Sequence, residues 1–209
     1  MGYTHYWRRT KTIQQQPFSQ IVADFNRIVL ALDDLGVRLA DGGGIGVPTL
    51  TSNLVDFNGL ANCGHPKNAE ICIPWPSDGA SGIGSNRTAV DGEWFAGAQL
   101  AHRACNGDCT YESFYFPRIL HLESWEKPEQ GRYFQFCKTA FRPYDVAVTA
   151  FLLIAKHHLG SEIEVSTDGD LSGWDDARRL CYVHLGYGPE FVVDDGHNIV
   201  NHMGAAALA

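Results

Sequence analysis

What the chain lacks narrows its function first. It contains no Gly-x-Ser-x-Gly elbow, no His-Glu-x-x-His pair and no Gly-x-Gly-x-x-Gly fingerprint, and its glycine-rich turn Asp41-Gly42-Gly43-Gly44-Ile45-Gly46 has no Gly-Lys step to cradle a phosphate. No motif argues positively for catalysis. Basic residues are also scarce, with 16 Lys and Arg against 24 Asp and Glu and a formal charge of −8. Such a balance argues against nucleic acid or an anionic membrane as a general partner, because phosphates are held by dense Lys and Arg. Arg8 and Arg9 are the nearest thing to a basic patch.

Long hydrophobic runs are missing too. The longest nearly apolar stretch, 146–155, is half of the roughly 20 residues that cross a bilayer, so it reads as a core helix and no membrane association is expected. Residues 1–7 have no apolar signal core, and Tyr6 stands where a myristoylation pattern needs Ser or Thr. The expected setting is therefore cytoplasmic, with the six cysteines reduced or bound to metal.

What is present is ample core material, with 44% apolar residues in a chain of 209. Alternation over 3–9 predicts a strand with bulky residues on both faces. Phe18, Ile21, Val22, Phe25, Ile28, Val29, Leu32 and Leu35 keep helical spacing between Pro17 and Gly36. Short strands are expected at 37–40 and 54–57. Longer ones at 112–120 and 132–140 could pair as a hairpin across the 126–131 loop. Pro143 opens a helix to Leu159 that is apolar on almost every side, and after a strand at 162–166 Ser172 would cap a third helix ending at Gly186. These elements specify an α+β fold, a mixed and largely antiparallel sheet with about three helices packed on it. One domain covers 1–191, with a long insertion at about 60–110 containing a short helix at 94–103. The tail 192–209 would form a hairpin at Asp194-Asp195-Gly196 or fray.

The insertion holds the chemistry-bearing cluster Cys63-Gly64-His65, Cys72 and His102-x2-Cys105-x3-Cys109. Cys63, Cys72, Cys105 and Cys109 could complete a tetrahedral zinc site, with His65 or His102 as substitutes; the same spacing also allows two disulfides or free thiols. Four thiolates would close the coordination sphere, so a zinc here would be structural. A second constellation lies where the 132–140 strand feeds the buried helix. There Lys138, Thr139, Arg142, Tyr144 and Asp145 surround a helix N-terminus, a natural place for an anion. The competing reading is helix capping by Thr139 or Asp145 with Lys138 and Arg142 in solvent. His5, on one face with Tyr3 and Trp7, could stack a ring and exchange a proton, or simply be a hydrogen-bonded core residue.

With those residues identified, the chain resembles an uncharacterised family of bacterial and bacteriophage proteins. The resemblance rests on Met1-Gly2-Tyr3-Thr4-His5-Tyr6-Trp7, on Cys105-Asn106-Gly107-Asp108-Cys109 followed by Glu112-Ser113-Phe114, on Phe136-Cys137-Lys138-Thr139-Ala140 with Pro143-Tyr144-Asp145, on Ala155-Lys156-His157-His158-Leu159-Gly160 and on Leu185-Gly186-Tyr187-Gly188. It spans nearly all of 1–191 and implies a bacterial or phage-infected cell; it carries no activity. The expectation is a binding protein for a small anionic or nucleotide-like ligand, seated against His5, Tyr3, Trp7, Lys138, Thr139, Arg142, Tyr144 and Asp145. The alternatives are a hydrolase using His5 or Cys137 with Asp145, and a homo-oligomeric virion or assembly component.

Overall fold

Apolar spacing builds the three helices of the computed structural model. It describes residues 3–65, 103, 105 and 107–201 in full, together with the backbone of short strands at 70–72, 94–95, 98–99 and 102–104. In α1 (Gln15–Asp34) the residues Phe18, Ile21, Val22, Phe25, Ile28 and Leu32 form one buried stripe. Pro17 sits in the first turn, where its missing N–H costs nothing. In α2 (Asp145–Leu159) every residue from Val146 to Ala155 is buried, so the helix is enclosed on all sides. It packs against α1, α3 (Asp175–Leu185) and the inner sheet. Each fully buried Leu, Ile or Phe contributes about 1.5–3 kcal/mol, which makes α2 the main source of apolar burial.

The strands run β1 (Thr4–Arg9), β2 (Leu39–Ala40), β3 (Thr49–Leu50), β4 (Leu54–Gly59), β5 (Glu70–Cys72), β6 (Trp94–Phe95), β7 (Ala98–Gln99), β8 (His102–Ala104), β9 (Phe114–Pro117), β10 (Tyr133–Lys138), β11 (Ile163–Thr167), β12 (Phe191–Val193) and β13 (Ile199–Asn201). All pairings among the described residues are antiparallel. One sheet has the order β10-β1-β11; in another, β4 pairs with β2, β3 and β9; β5 with β8, β6 with β7 and β12 with β13 form separate pairs. The fold is α+β, with three helices among the described residues. Phe151 of α2 joins its parts, meeting Phe25 of α1 and Phe114 and Phe116 of β9 edge-on at ring-centroid distances of 5.1, 4.9 and 4.9 Å.

Several expectations need correction. The 114–117 and 133–138 strands do not form a hairpin, because β9 pairs with β4 and β10 with β1, leaving the two in different sheets. The described pieces of 94–103 are strand, so the short helix expected there is not formed. Ser172 does not cap α3; it lies in a 3₁₀ turn capped by Asp170, whose side chain accepts the Ser172 N–H. Arg9 contributes to no basic surface. It is fully buried over the Phe116 ring at 4.6 Å and donates to the carbonyl of Pro117, while Arg8 reaches Glu129 at 3.3 Å. The hairpin at 194–196 does form, and Phe191 and Ile199 seat it on the core. No helix of the described residues is long and apolar enough to cross a membrane.

Candidate metal centre and buried ion-pair network

Two glycines let the cysteine loops meet. Gly64 adopts φ +80°, a left-handed value that glycine tolerates without penalty, and so Cys63 and His65 can face the same way. At the end of β4 the Cys109 carbonyl lies where a Gly59 Cβ would be, 2.0 Å from it, so any side chain at 59 would push the second loop away. The Cys109 N–H is held by the Leu60 carbonyl at 3.2 Å, and Arg142 donates to the carbonyls of Cys105 and Asp108 at 2.5 and 3.1 Å.

These supports bring four ligand atoms together. Cys63 Sγ and Cys105 Sγ lie 3.2 Å apart, Cys105 Sγ and Cys109 Sγ 3.2 Å, and His65 Nδ1 lies 3.3 Å from Cys105 Sγ and 3.5 Å from Cys109 Sγ. All four atoms fall within 4.8 Å of one another and are close enough to hold one metal ion. A disulfide needs about 2.05 Å, so these are free thiols. Ligands about 2.3 Å from a common centre would stand roughly 3.8 Å apart, close to what is found. The His65 backbone N–H points at the Cys63 sulfur and the Gly107 N–H at the Cys105 sulfur, contacts that favour thiolate. Burial pushes the Cys105 and Cys109 thiols up, reinforced at Cys109 by its neighbouring sulfurs; a cation among them would reverse that. A cavity of about 210 Å³, bordered by Cys63, His65, Cys109 and Pro143, gives an ion a route in. Cys72 pairs in register with His102, but both side chains lie outside the described residues. His65 is thus the fourth described ligand.

Two residues before Cys105, Arg103 enters a second cluster. Its guanidinium is fully buried, donates to the Asp176 carboxylate, lies 3.7 Å from Asp145 Oδ2 and covers the Phe141 ring at 4.9 Å. Asp145 Oδ1 in turn meets His5 Nε2 at 2.8 Å and accepts from Thr139 Oγ1 at 2.5 Å, while His5 Nδ1 lies 3.2 Å from Thr167 Oγ1. Tyr3 and Trp174 pack edge-on against the His5 ring at 5.0 and 5.1 Å. Burial would raise the Asp145 carboxyl, but His5, Arg103 and Thr139 together outweigh it and hold it below the ordinary carboxylate range. At Asp176 burial wins and the carboxyl is raised despite Arg103. Burial, with Asp145 nearby, also raises the Tyr3 phenol. Among the described residues, no hydrogen-bond partner meets Trp174 Nε1, Asp145 Oδ2 or Nε and Nη2 of Arg103.

The residues expected to surround one ligand divide accordingly. Tyr3, His5, Thr139 and Asp145 come together. Trp7 lies further along the same inner face, 5.2 Å from Phe114 between ring centroids, and donates to Gln135 Oε1 at 3.0 Å. Tyr144 is buried and donates to the Glu112 carbonyl at 2.7 Å. Lys138 is placed by its backbone, whose N–H donates to Glu112 Oε2 at 2.9 Å, and Arg142 braces the cysteine loop. No side chain caps the α2 N-terminus by a hydrogen bond among the described residues, so neither Thr139 nor Asp145 serves as its cap; the Asp145 carboxylate turns to His5, Thr139 and Arg103 instead. His5 and Asp145 are 0% exposed, so their pairing is sealed from solvent. Sequence reasoning missed Arg103 and Asp176. A detectable signal existed at Asp176, which precedes the inward stripe Ala177, Leu180 and Cys181 and so must bury a carboxylate in need of a cation.

No protein family, curated protein or solved structure matches this chain.

Proposed function

We propose that this chain is a binding protein whose described Cys63, His65, Cys105 and Cys109 hold a structural zinc ion. The observation that carries the reading is the mutual approach of three sulfurs and one imidazole nitrogen, each supplied by a braced loop. Four protein ligands fill a tetrahedral sphere, and a zinc so enclosed has no open position for water or substrate. The ion's work is to tie the loop bearing Arg103 to the end of β4. Softer divalent-metal chemistry of the same N and S type would serve the same purpose.

Chemistry by the other clusters is disfavoured on local grounds. The hydrolase alternative has a His5–Asp145 pair of suitable geometry, but the pair is sealed. Cys137 is buried with its thiol raised, chiefly by burial, which opposes the thiolate that nucleophilic attack needs. The anionic-ligand expectation has the Arg142 guanidinium already engaged by the carbonyls of Cys105 and Asp108.

The purified protein should contain about one equivalent of zinc, and cobalt substitution should give the visible absorption of a tetrahedral thiolate site. Cys109→Ser should abolish stoichiometric binding, whereas Cys137→Ser and Cys181→Ser should not. Stoichiometric metal retained by Cys109→Ser would sink this ligand set.

A further inference from the structure

The split between β9 and β10 leaves a groove that none of the clusters above explains. Its volume is about 540 Å³, its floor is Trp7, and its walls are Ser113 and Tyr115 on one side and Tyr133–Phe136 on the other. Trp125, Glu126 and Lys127 close the far end. At the near end β9 and β10 are tied at Glu112 and Lys138, where the Glu112 N–H donates to the Lys138 carbonyl at 3.3 Å. Beyond that tie neither strand has a ladder partner on this side among the described residues, since β10 pairs with β1 and β9 with β4.

The hydrogen-bonding phase shows which amides face the gap. Thr4 gives its carbonyl to the Asp168 N–H on the β11 side at 3.0 Å, so Thr4, Tyr6 and Arg8 bond toward β11 and His5, Trp7 and Arg9 bond toward β10. Their partners Cys137, Gln135 and Tyr133 then point back at β1, which turns the N–H and C=O of Phe134 and Phe136 outward. On β9 the Arg118 N–H bonds the Asn53 carbonyl at 2.8 Å, so Phe114 and Phe116 face β4 and the amide of Tyr115 faces the gap. Two strand edges therefore present donors and acceptors with no ladder partner among the described residues across one aromatic-lined groove. Proteins ordinarily block such edges, and an open one is a template for another strand.

The charges at the mouth select among occupants. Glu126 is turned back on its own loop, accepting the Glu123 N–H at 2.6 Å, while the exposed Lys127 borders the groove with no side-chain partner among the described residues. One free cation beside five exposed or half-exposed aromatic side chains suits a single carboxylate on an otherwise apolar chain, not a polyphosphate. The side chains at Trp125, Phe136, Phe134 and Tyr115 are 75%, 53%, 48% and 47% exposed, ample apolar surface for a partner to cover.

We propose that this groove takes an extended peptide from another protein, added as a strand between β9 and β10, with apolar side chains on the aromatic walls and a carboxylate against Lys127. The segment engaged would be about four residues long, matching the 133–136 edge.

The probe is a random short-peptide display library panned against the intact, metal-loaded protein. Selected peptides should lack proline, alternate apolar positions, carry an acidic residue or free carboxylate at one end, and protect the Phe134, Phe136 and Tyr115 amides from hydrogen exchange. N-methylating a central amide, Trp125→Ala and Lys127→Glu should each weaken binding about tenfold or more. Trp125 and Lys127 are exposed loop residues, so these variants test binding without threatening the fold. Failure to select any peptide that protects those amides would overturn the proposal, as would N-methyl peptides that bind equally well. Protection of the same amides by concentration-dependent dimerisation, without peptide, would reassign the groove to a second copy of this chain. Because zinc is measured separately, loss of the metal reading would leave this result unaffected.

Discussion

Asp145 is the residue whose surroundings matter most, and its charge can be followed by pH. It opens α2, yet its carboxylate turns away from solvent to His5, Thr139 and Arg103. A carboxyl held below its ordinary range in the folded state contributes stability that is complete above its unfolded value, about 3.9, and lost as pH falls through the folded value. Asp176, raised by burial, has the opposite sign, contributing at low pH and losing its contribution as pH rises through the carboxylate range. Asp145→Asn should cost about 3–5 kcal/mol near neutrality by leaving a buried cation unbalanced, and the gap to the parent protein should shrink below about pH 4. Urea unfolding across the acid range measures it; a gap independent of pH would mean that Asp145 is not the ionised partner. A second expectation concerns the turn just before it. Ala140 and Phe141 hold φ +50° and +54°, costly for residues with a Cβ, while the N–H groups of Thr139 and Ala140 donate to the Tyr3 carbonyl. Ala140→Gly should raise stability by about 0.5–1 kcal/mol in thermal unfolding, since relieved strain slightly exceeds the added chain entropy. The sequence pointed to Tyr3, His5, Thr139 and Asp145 because they share one strand face and one helix start, which are local facts. It did not reveal Arg103, because an arginine in a segment without sustained periodicity carries no local sign of burial.

Helices were legible as elements because each contains its own hydrogen bonds and its apolar period is written in consecutive residues. The stripe from Phe18 to Leu32 and the enclosed run from Val146 to Ala155 both stand where their spacing places them. Strands were legible singly, but their pairing was not. The 114–117 and 133–138 segments look like a hairpin by proximity, yet the apolar face of β9 is taken by Phe57 and Phe151, and β1, more than a hundred residues upstream, claims β10. The element that couples the layers is α1 through Phe25, whose ring stacks on Phe57 at 5.2 Å and meets Phe151 edge-on at 5.1 Å. Phe25→Ala should therefore cost about 3–5 kcal/mol, at the upper end for a core aromatic, whereas truncating the exposed Leu30 of the same helix should change stability by less than about 0.5 kcal/mol. Chemical denaturation of the two variants decides it, and equal losses would mean that α1 is not held by this ring cluster.

At the scale of the whole molecule, the described residues show how the insertion is anchored. β5 pairs with β8 and β6 with β7, and among the described residues the Cys63, His65, Cys105 and Cys109 cluster, the carbonyl grip of Arg142 and the burial of Arg103 between Asp176 and Asp145 join the end of the insertion to the body. Such a cluster is visible in sequence as a density of soft ligands, but which four converge depends on contacts 40 or more residues apart in the chain, such as Cys63 with Cys105 and Cys109 with His65. The two anchors are adjacent in sequence, and removing the metal should load the strain of the loop onto Arg103. Chelation should accordingly strip exchange protection from the amides of Cys109 and Gly59, lower the melting temperature and leave the α1 and α2 amides protected, because those helices bury their core without the loop. Chelation of Arg103→Met should have a smaller additional effect than chelation of the parent protein, since the ion can no longer position a buried cation, and the shortfall measures the coupling between the two sites. Native-state hydrogen exchange on all four states checks this. Simple additivity would mean that the metal holds its loops and nothing more, and collapse of α1 and α2 protection on chelation would make the ion a requirement for the fold itself.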